Sequence, residues 1–394
     1  VIPLAMGLLA GDGAELPTRL DGEAAAHPGA RVLTLQKPVE RFRFIGLPAA
    51  PVPSLLRRFS APVKLKGTPL ERLKFLAVHD TDPFARWEAS QQVATTLLLD
   101  MVAARQQGKA LSLDAELVAP IAATLAGAAA DPAFAAEVMT LPSESFLADQ
   151  MATVDVDAIH AARQFARAEI GRNLARELAA AYEHFADPGP YRPDGAGIGR
   201  RAIRNVCLAY LAAGNDAAEV ARAEAQFGVG RNMTDVLAAL AVLADLETPA
   251  RAKALAAFYE RWRDDELVID KWFALQALSS RPGTLAEVAA LMRHPAFTLK
   301  NPNRVRALIA TFTQANQVRF HAADGAGYAF LADQVAALDP LNPMMASRLL
   351  QPLGNWRRFD GGRQTLMKRA LEGVLALPKL SKNTYEIASK SLRA

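Results

Sequence analysis

Two Asn-Pro steps stand ahead of runs with helical spacing. The first reads Asn301-Pro302-Asn303-Arg304-Val305-Arg306, and the second reads Asn342-Pro343 followed by Ala346-Ser347-Arg348. Each run carries an arginine in its first turns. A helix start is the positive end of the dipole and has N–H groups to spare, so a guanidinium there adds to the field it meets. Such a placement calls for an anionic partner or for a satisfied buried network. An arginine can hold a carboxylate through two parallel hydrogen bonds, which makes Arg306 and Arg348 candidate substrate-binding residues. Salt bridges to acids on neighbouring helices are the ordinary alternative.

No other constellation offers a complete site. The six histidines, His27, His79, His160, His184, His294 and His321, are far apart in the chain, and no His-Glu-x-x-His or Cys/His cluster exists. This chain alone is expected to bind no zinc. Cys207 lies among Val206, Leu208 and Ala209 and reads as core. With no Gly-x-Ser-x-Gly elbow and no phosphate loop, no catalytic or metal-ligating residue is assigned. Asp235, Asp264, Asp265 and Asp270 fall near helix starts, where carboxylates cap N–H groups or favour the dipole. Asn232 or Thr234 reads as a helix cap, Trp272-Phe273 as a core anchor, and His321 as a turn histidine satisfied by backbone.

The elements that must position these residues follow from composition and pattern. Of 394 residues, 51% are hydrophobic and 22% charged, with a formal net charge of +4. The pI is about 9.2, but acids and bases are interleaved, and no basic block points to nucleic acid or a membrane surface. A single cysteine fits a reducing, cytoplasmic setting. No apolar run reaches the roughly 18 residues needed to span a bilayer.

Residues 1–66 read as a small β-sandwich, partial at its N-terminal side. Ile2, Leu4, Met6 and Leu8 alternate, Gly11-Asp12-Gly13 turns, residues 14–30 loop, and Val32, Leu33 and Leu35 open a second strand. Phe42 and Phe44 alternate with Arg41 and Arg43, and the stretches 55–59 and 63–65 complete the meander. The first strand is entered partway, so the chain reads as a piece of something longer.

Residues 67–394 read as helix upon helix. Starts are expected at Asp82-Pro83, Asp114 and Asp131-Pro132, and one long helix over 156–182. Further helices are expected over 199–213, 216–226, 233–246, 248–263, 265–278, 284–293, 303–314, 327–337, 343–354, 362–376 and 381–392. Short connections imply antiparallel pairs, and the absence of a fixed period implies an irregular superhelical α-solenoid. The fold class is therefore mostly α, preceded by the small sandwich.

The strings PVPSLLRRFSAPVKL, DPFARWEASQ, RNVCLAYL, NMTDVLAAL, DKWFALQA, HPAFTLKNPNR, NPNRVRALI, HAADGAGYAFL and NPMMASRL resemble, in order, the C-terminal region of bacterial aminopeptidase N, the alanyl aminopeptidases of the zinc gluzincin class. The resemblance implies the last two of the family's four parts, a small β-sandwich and a helical domain. The family's zinc motif, exopeptidase motif and catalytic tyrosine belong to parts with no match here. It implies a bowl that closes over the zinc catalytic domain and limits access to short peptides, with Arg306 and Arg348 facing the cavity. Zinc would then belong to the whole enzyme, a monomer, and the catalytic domain would be this region's partner. A stand-alone helical scaffold binding peptide or protein is the alternative.

Overall fold

The computed structural model describes residues 1–187, 189–214 and 216–393. Its contacts group the chain into two compact units. One comprises Val1–Met101, Ala110–Pro142 and Asn173–Val206; the other comprises Val102–Lys109, Ser143–Arg172 and Cys207–Ala394.

The first unit holds the sheet. Strand β1 (Ile2–Leu9) is paired antiparallel with β2 (Glu15–Leu16), β3 (Arg31–Leu35) and β4 (Val52–Leu55). At Met6 the partners are Arg31 on one side and Leu55 on the other. Met6, Leu8 and Leu33 form a buried cluster, with Leu4, Leu16, Phe44 and Leu55 packed against it, as the alternation of β1 requires.

Three expected strands do not form. Phe44 makes only an isolated bridge to Leu20, and Phe42 is exposed. Two backbone hydrogen bonds, Asp21 to Arg43 and Ile45 to Arg19, are all that the stretch between Pro38 and Pro48 supports, and Gly46 turns it at φ 70°. The 55–59 stretch leaves the sheet at Leu56 (φ 57°) for a 3₁₀ turn, Arg57–Phe59, in which Arg58 and Phe59 are also left-handed. Residues 63–65 find no ladder partner among the described residues.

That left-handed turn carries Arg57 inward. Its guanidinium is buried and donates to Ser54 Oγ (2.9 Å), Glu15 Oε1 (2.6 Å), Asp80 Oδ1 (3.0 Å) and Thr81 Oγ1 (3.4 Å). It lies so close to β1 that a Cβ on Gly7 would stand 2.5 Å from its Cζ, so a side chain at position 7 would push the guanidinium off its partners. Asp80 in turn accepts from the Asp82 N–H, and Asp82 Oδ1 accepts from Ala85 N–H, capping Pro83–Gln106, and from Arg58 N–H. Three non-glycine residues at positive φ are costly, and this charged network offsets the cost.

The expected helix starts at 82–83, 114 and 131–132 are present, each with its aspartate accepting a first-turn N–H. The short helix Glu144–Asp149, capped by Ser143, was not foreseen, because six residues show no period. The long helix expected over 156–182 is two, Val156–Asn173 and Ala175–His184, broken at Leu174 (φ −112°, ψ 19°). Ile170, Leu174 and Leu178 are each buried, so apolar residues at helical spacing could not reveal the break.

In the second unit successive helices pack on one another from Ala217–Val229 through Met233–Ala244, Pro249–Trp262 and Glu266–Ala277. Asn232 is the cap of the second of these, exchanging bonds with Asp235, and Asp265 caps the fourth. Trp272 is the core anchor expected, buried with Nε1 donating to Leu255 O at 3.0 Å. Cys207 is fully buried, and burial pushes its thiol up to about 12, in keeping with a core side chain.

His321 corrects the reading as a turn histidine held by backbone. Its Nδ1 shares a hydrogen bond with the Tyr328 hydroxyl (3.0 Å), its ring stacks on Phe359, and its own carbonyl accepts from Arg363 Nε (2.7 Å). Sequence could not show this, because Phe359 and Arg363 lie some forty residues on. Gly325 turns the chain at φ 73°, and a Cβ on Gly327 would meet Phe320 O at 2.2 Å. The helix Ala326–Leu338 therefore touches the preceding turn backbone to backbone.

Three outcomes are expected. Arg57→Ala leaves Asp80 buried without its cation and lowers unfolding stability by about 3–5 kcal/mol in urea titration. Gly327→Ala costs about 1–3 kcal/mol by the same measurement, because neither backbone can yield freely. Burial pushes His321 down to about 3, so the unfolded chain binds a proton near the ordinary 6.5 that the folded chain does not. Stability should then fall as pH drops from 6.5 towards 3, by up to about 1.4 kcal/mol per pH unit from this group. His321→Gln should show a correspondingly flatter acid limb in unfolding followed against pH.

Candidate functional site

The first Asn-Pro run resolves into two arginines with opposite fates. Asn301 Oδ1 accepts from Asn303 N–H, and Pro302 takes the first helical position, where its missing N–H costs nothing. Arg304 is buried. Its Nη1 donates to Glu266 O (2.8 Å) and to Asp270, its Nε donates to Ala296 O (2.9 Å), and its guanidinium lies 5.7 Å from the centre of the Phe273 ring. This is the satisfied network that the arginine-rich start called for. It also corrects Asp270, which serves as the ion-pair partner of Arg304 and not as a dipole-favouring carboxylate. The spacing held the signal for Arg304: Leu308 and Phe312 follow it at steps of four on one buried stripe.

Arg306, two positions on, is exposed. Its Nη1 donates to Asn303 Oδ1 at 3.0 Å. Residues Arg306–Ala310 form a π-helical turn. The Arg306 carbonyl accepts from the backbone N–H of Thr311 and also from Thr311 Oγ1 at 3.0 Å. Single π turns of this kind concentrate at functional sites.

The second run is capped by Asn342, whose Oδ1 accepts from Met345 N–H at 3.1 Å, with Pro343 again at the first position. Arg348 is exposed on this helix, and Met344, one turn before it on the same face, is 58% exposed. Among the described residues neither Arg306 nor Arg348 forms an ion pair, so the salt-bridge alternative is not realised for either. Both belong to the second unit, and they share no hydrogen-bond partner among the described residues.

Among the described residues no group of three His, Cys, Asp or Glu side chains converges to hold an ion. His321 is held well below its usual range by burial, with the Arg363 charge adding to the effect. Among the described residues no helix is long and apolar enough to cross a membrane.

Comparison with known proteins agrees with this layout. A family model described as a domain of unknown function (DUF3458) with an Ig-like fold matches residues 1–68, and one described as a domain of unknown function (DUF3458_C) with ARM repeats matches residues 70–393. The chain is 41% identical over 392 residues to aminopeptidase N of Caulobacter vibrioides, covering 98% of this chain and 44% of that protein. Against aminopeptidase N of Escherichia coli it is 38% identical, covering 99% of this chain and 44% of the relative. A crystal structure of Legionella pneumophila aminopeptidase A in complex with aspartic acid superposes with a TM-score of 0.85 at 28% identity, covering all of this chain and 45% of that one. The chain thus spans under half the length of the relatives it matches, and it matches their C-terminal part. With its sheet under the Ig-like description and its helices under the ARM-repeat description, the chain belongs to the DUF3458 family.

Proposed function

We propose that this chain is the non-catalytic C-terminal portion of a zinc-dependent aminopeptidase, which removes N-terminal residues from peptides. The observation that carries the reading is the alignment of nearly the whole chain with under half of each aminopeptidase N it resembles. On this reading residues 1–66 form the sandwich domain, and residues 67–394 form a helical wall that encloses the active-site cavity and governs which peptides enter. The partner is a zinc domain that acts on the first peptide bond, within one cytoplasmic, monomeric protein. Because no three metal-ligating side chains converge among the described residues, no step of bond cleavage is assigned to them.

Arg306 and Arg348 supply the wall's chemistry. Both are exposed cations without an acid partner among the described residues, which supports a role in binding an anion from outside the chain. A peptide entering amino end first presents its carboxylate on the far side from the cleaved bond. Each guanidinium can take that carboxylate by a charge-assisted, bidentate contact.

Two measurements test this. Expressed alone, the chain should hydrolyse no aminoacyl anilide. In the complete polypeptide, replacing both arginines with alanine should raise KM for short peptides by about tenfold, the effect of about 1.4 kcal/mol of lost binding. The KM of single-residue amide substrates, which do not reach the wall, should change little, and kcat should be unaffected for both. Equal changes for the two substrate types would refute the assignment.

A further inference from the structure

We infer that Asn303 and Thr311 are positioning residues that hold the Arg306 guanidinium with its Nε–Nη2 edge presented to a ligand carboxylate. The inference rests on the binding role given to Arg306 above and adds how that role is built. Arg306 is fixed at both ends. Asn303 Oδ1 takes Nη1 from one side. The π turn leaves the Arg306 carbonyl to the N–H of Thr311, five residues on, and the Thr311 hydroxyl adds a second bond to the same oxygen. Asn303 is itself anchored, since its N–H donates to the Asn301 cap at 2.9 Å. Nε and Nη2 donate to no described residue, and these two parallel N–H groups match the two oxygens of a carboxylate.

The arrangement has a physical purpose. An exposed arginine samples many rotamers and gives up that freedom when it grips a ligand. A neutral acceptor at Nη1 restricts the side chain beforehand without cancelling its charge. An aspartate would restrict it equally but would compete with the ligand for the cation. Asparagine is the side chain that positions without neutralising.

Thr311 acts on the backbone from which Arg306 projects. Loss of its hydroxyl removes one of the two bonds that Thr311 gives to the Arg306 carbonyl.

The test uses the complete polypeptide, a tripeptide with a free C-terminus, and the same tripeptide amidated. Arg306→Ala serves as reference, and thermal midpoints are recorded throughout. Asn303→Ala should raise KM for the free acid about three- to tenfold, the effect of freeing one rotamer-rich side chain, and leave kcat and the amidated peptide unchanged. Asn303→Asp should raise KM for the free acid further while leaving the midpoint equal or higher, since a carboxylate in the first helical turn is favourable. A merely structural role predicts the opposite order, with Asp better tolerated than Ala. Thr311→Val should give a smaller rise for the free acid, and Thr311→Ser should restore the parent value.

If Arg306→Ala distinguishes the two peptides while neither Asn303 variant does, the positioning role is overturned and the binding role stands. If Arg306→Ala makes no distinction, both are overturned. A parallel loss on both peptides with a lowered midpoint in Asn303→Ala also overturns the positioning role, in favour of a structural one.

Discussion

A guanidinium taken out of water must find acceptors for its donors, and that requirement organises much of this chain. Arg57 meets it with Ser54, Glu15, Asp80 and Thr81. Arg304 meets it with Asp270 and the carbonyls of Glu266 and Ala296. Arg363 meets it with Asp360, Asp157 and the carbonyl of His321. In each case some of the partners come from segments tens of residues away or more, so one side chain fixes several elements at once. Leaving such a charge unpaired costs several kcal/mol, which makes these contacts specifying as well as stabilising.

The contrast between Arg304 and Arg306 follows from helical geometry. Two residues correspond to about 200° of rotation about the axis, so neighbours in one motif face opposite ways. Arg304 falls on the stripe that continues through Leu308 and Phe312, and it is drawn into the core network. Arg306 falls opposite and keeps its charge in water, its guanidinium steadied by Asn303. One hexapeptide thus supplies a helix cap, a core tie and an open cation.

What could be read from sequence was local. Helix starts at Asp82-Pro83, Asp131-Pro132, Asn301-Pro302 and Asn342-Pro343 were legible because cap and first turn lie within four residues of each other. The burial of Trp272 and Cys207 was legible from their apolar neighbours. The fates of Phe42 and Phe44 were not, because a strand needs a partner as well as an alternating pattern. Nor was the break at Leu174, where apolar residues at helical spacing run on through it. The candidate arginines were chosen by type and placement, but that neither meets an acid among the described residues depends on which side chains the fold brings near, and no spacing encodes that.

The network around Arg57 has a consequence for modularity. The two family descriptions meet between residues 68 and 70, yet on the helical side of that junction Asp80 and Thr81 complete the coordination of Arg57, and Asp82 accepts from the Arg58 N–H. A polypeptide trimmed to the ARM-repeat region alone would begin with a buried aspartate deprived of its cation. A polypeptide trimmed to the Ig-like region alone would keep three residues in left-handed conformations with much of their compensation gone. The charged network therefore runs across the junction between the two descriptions, and neither region closes its own charge.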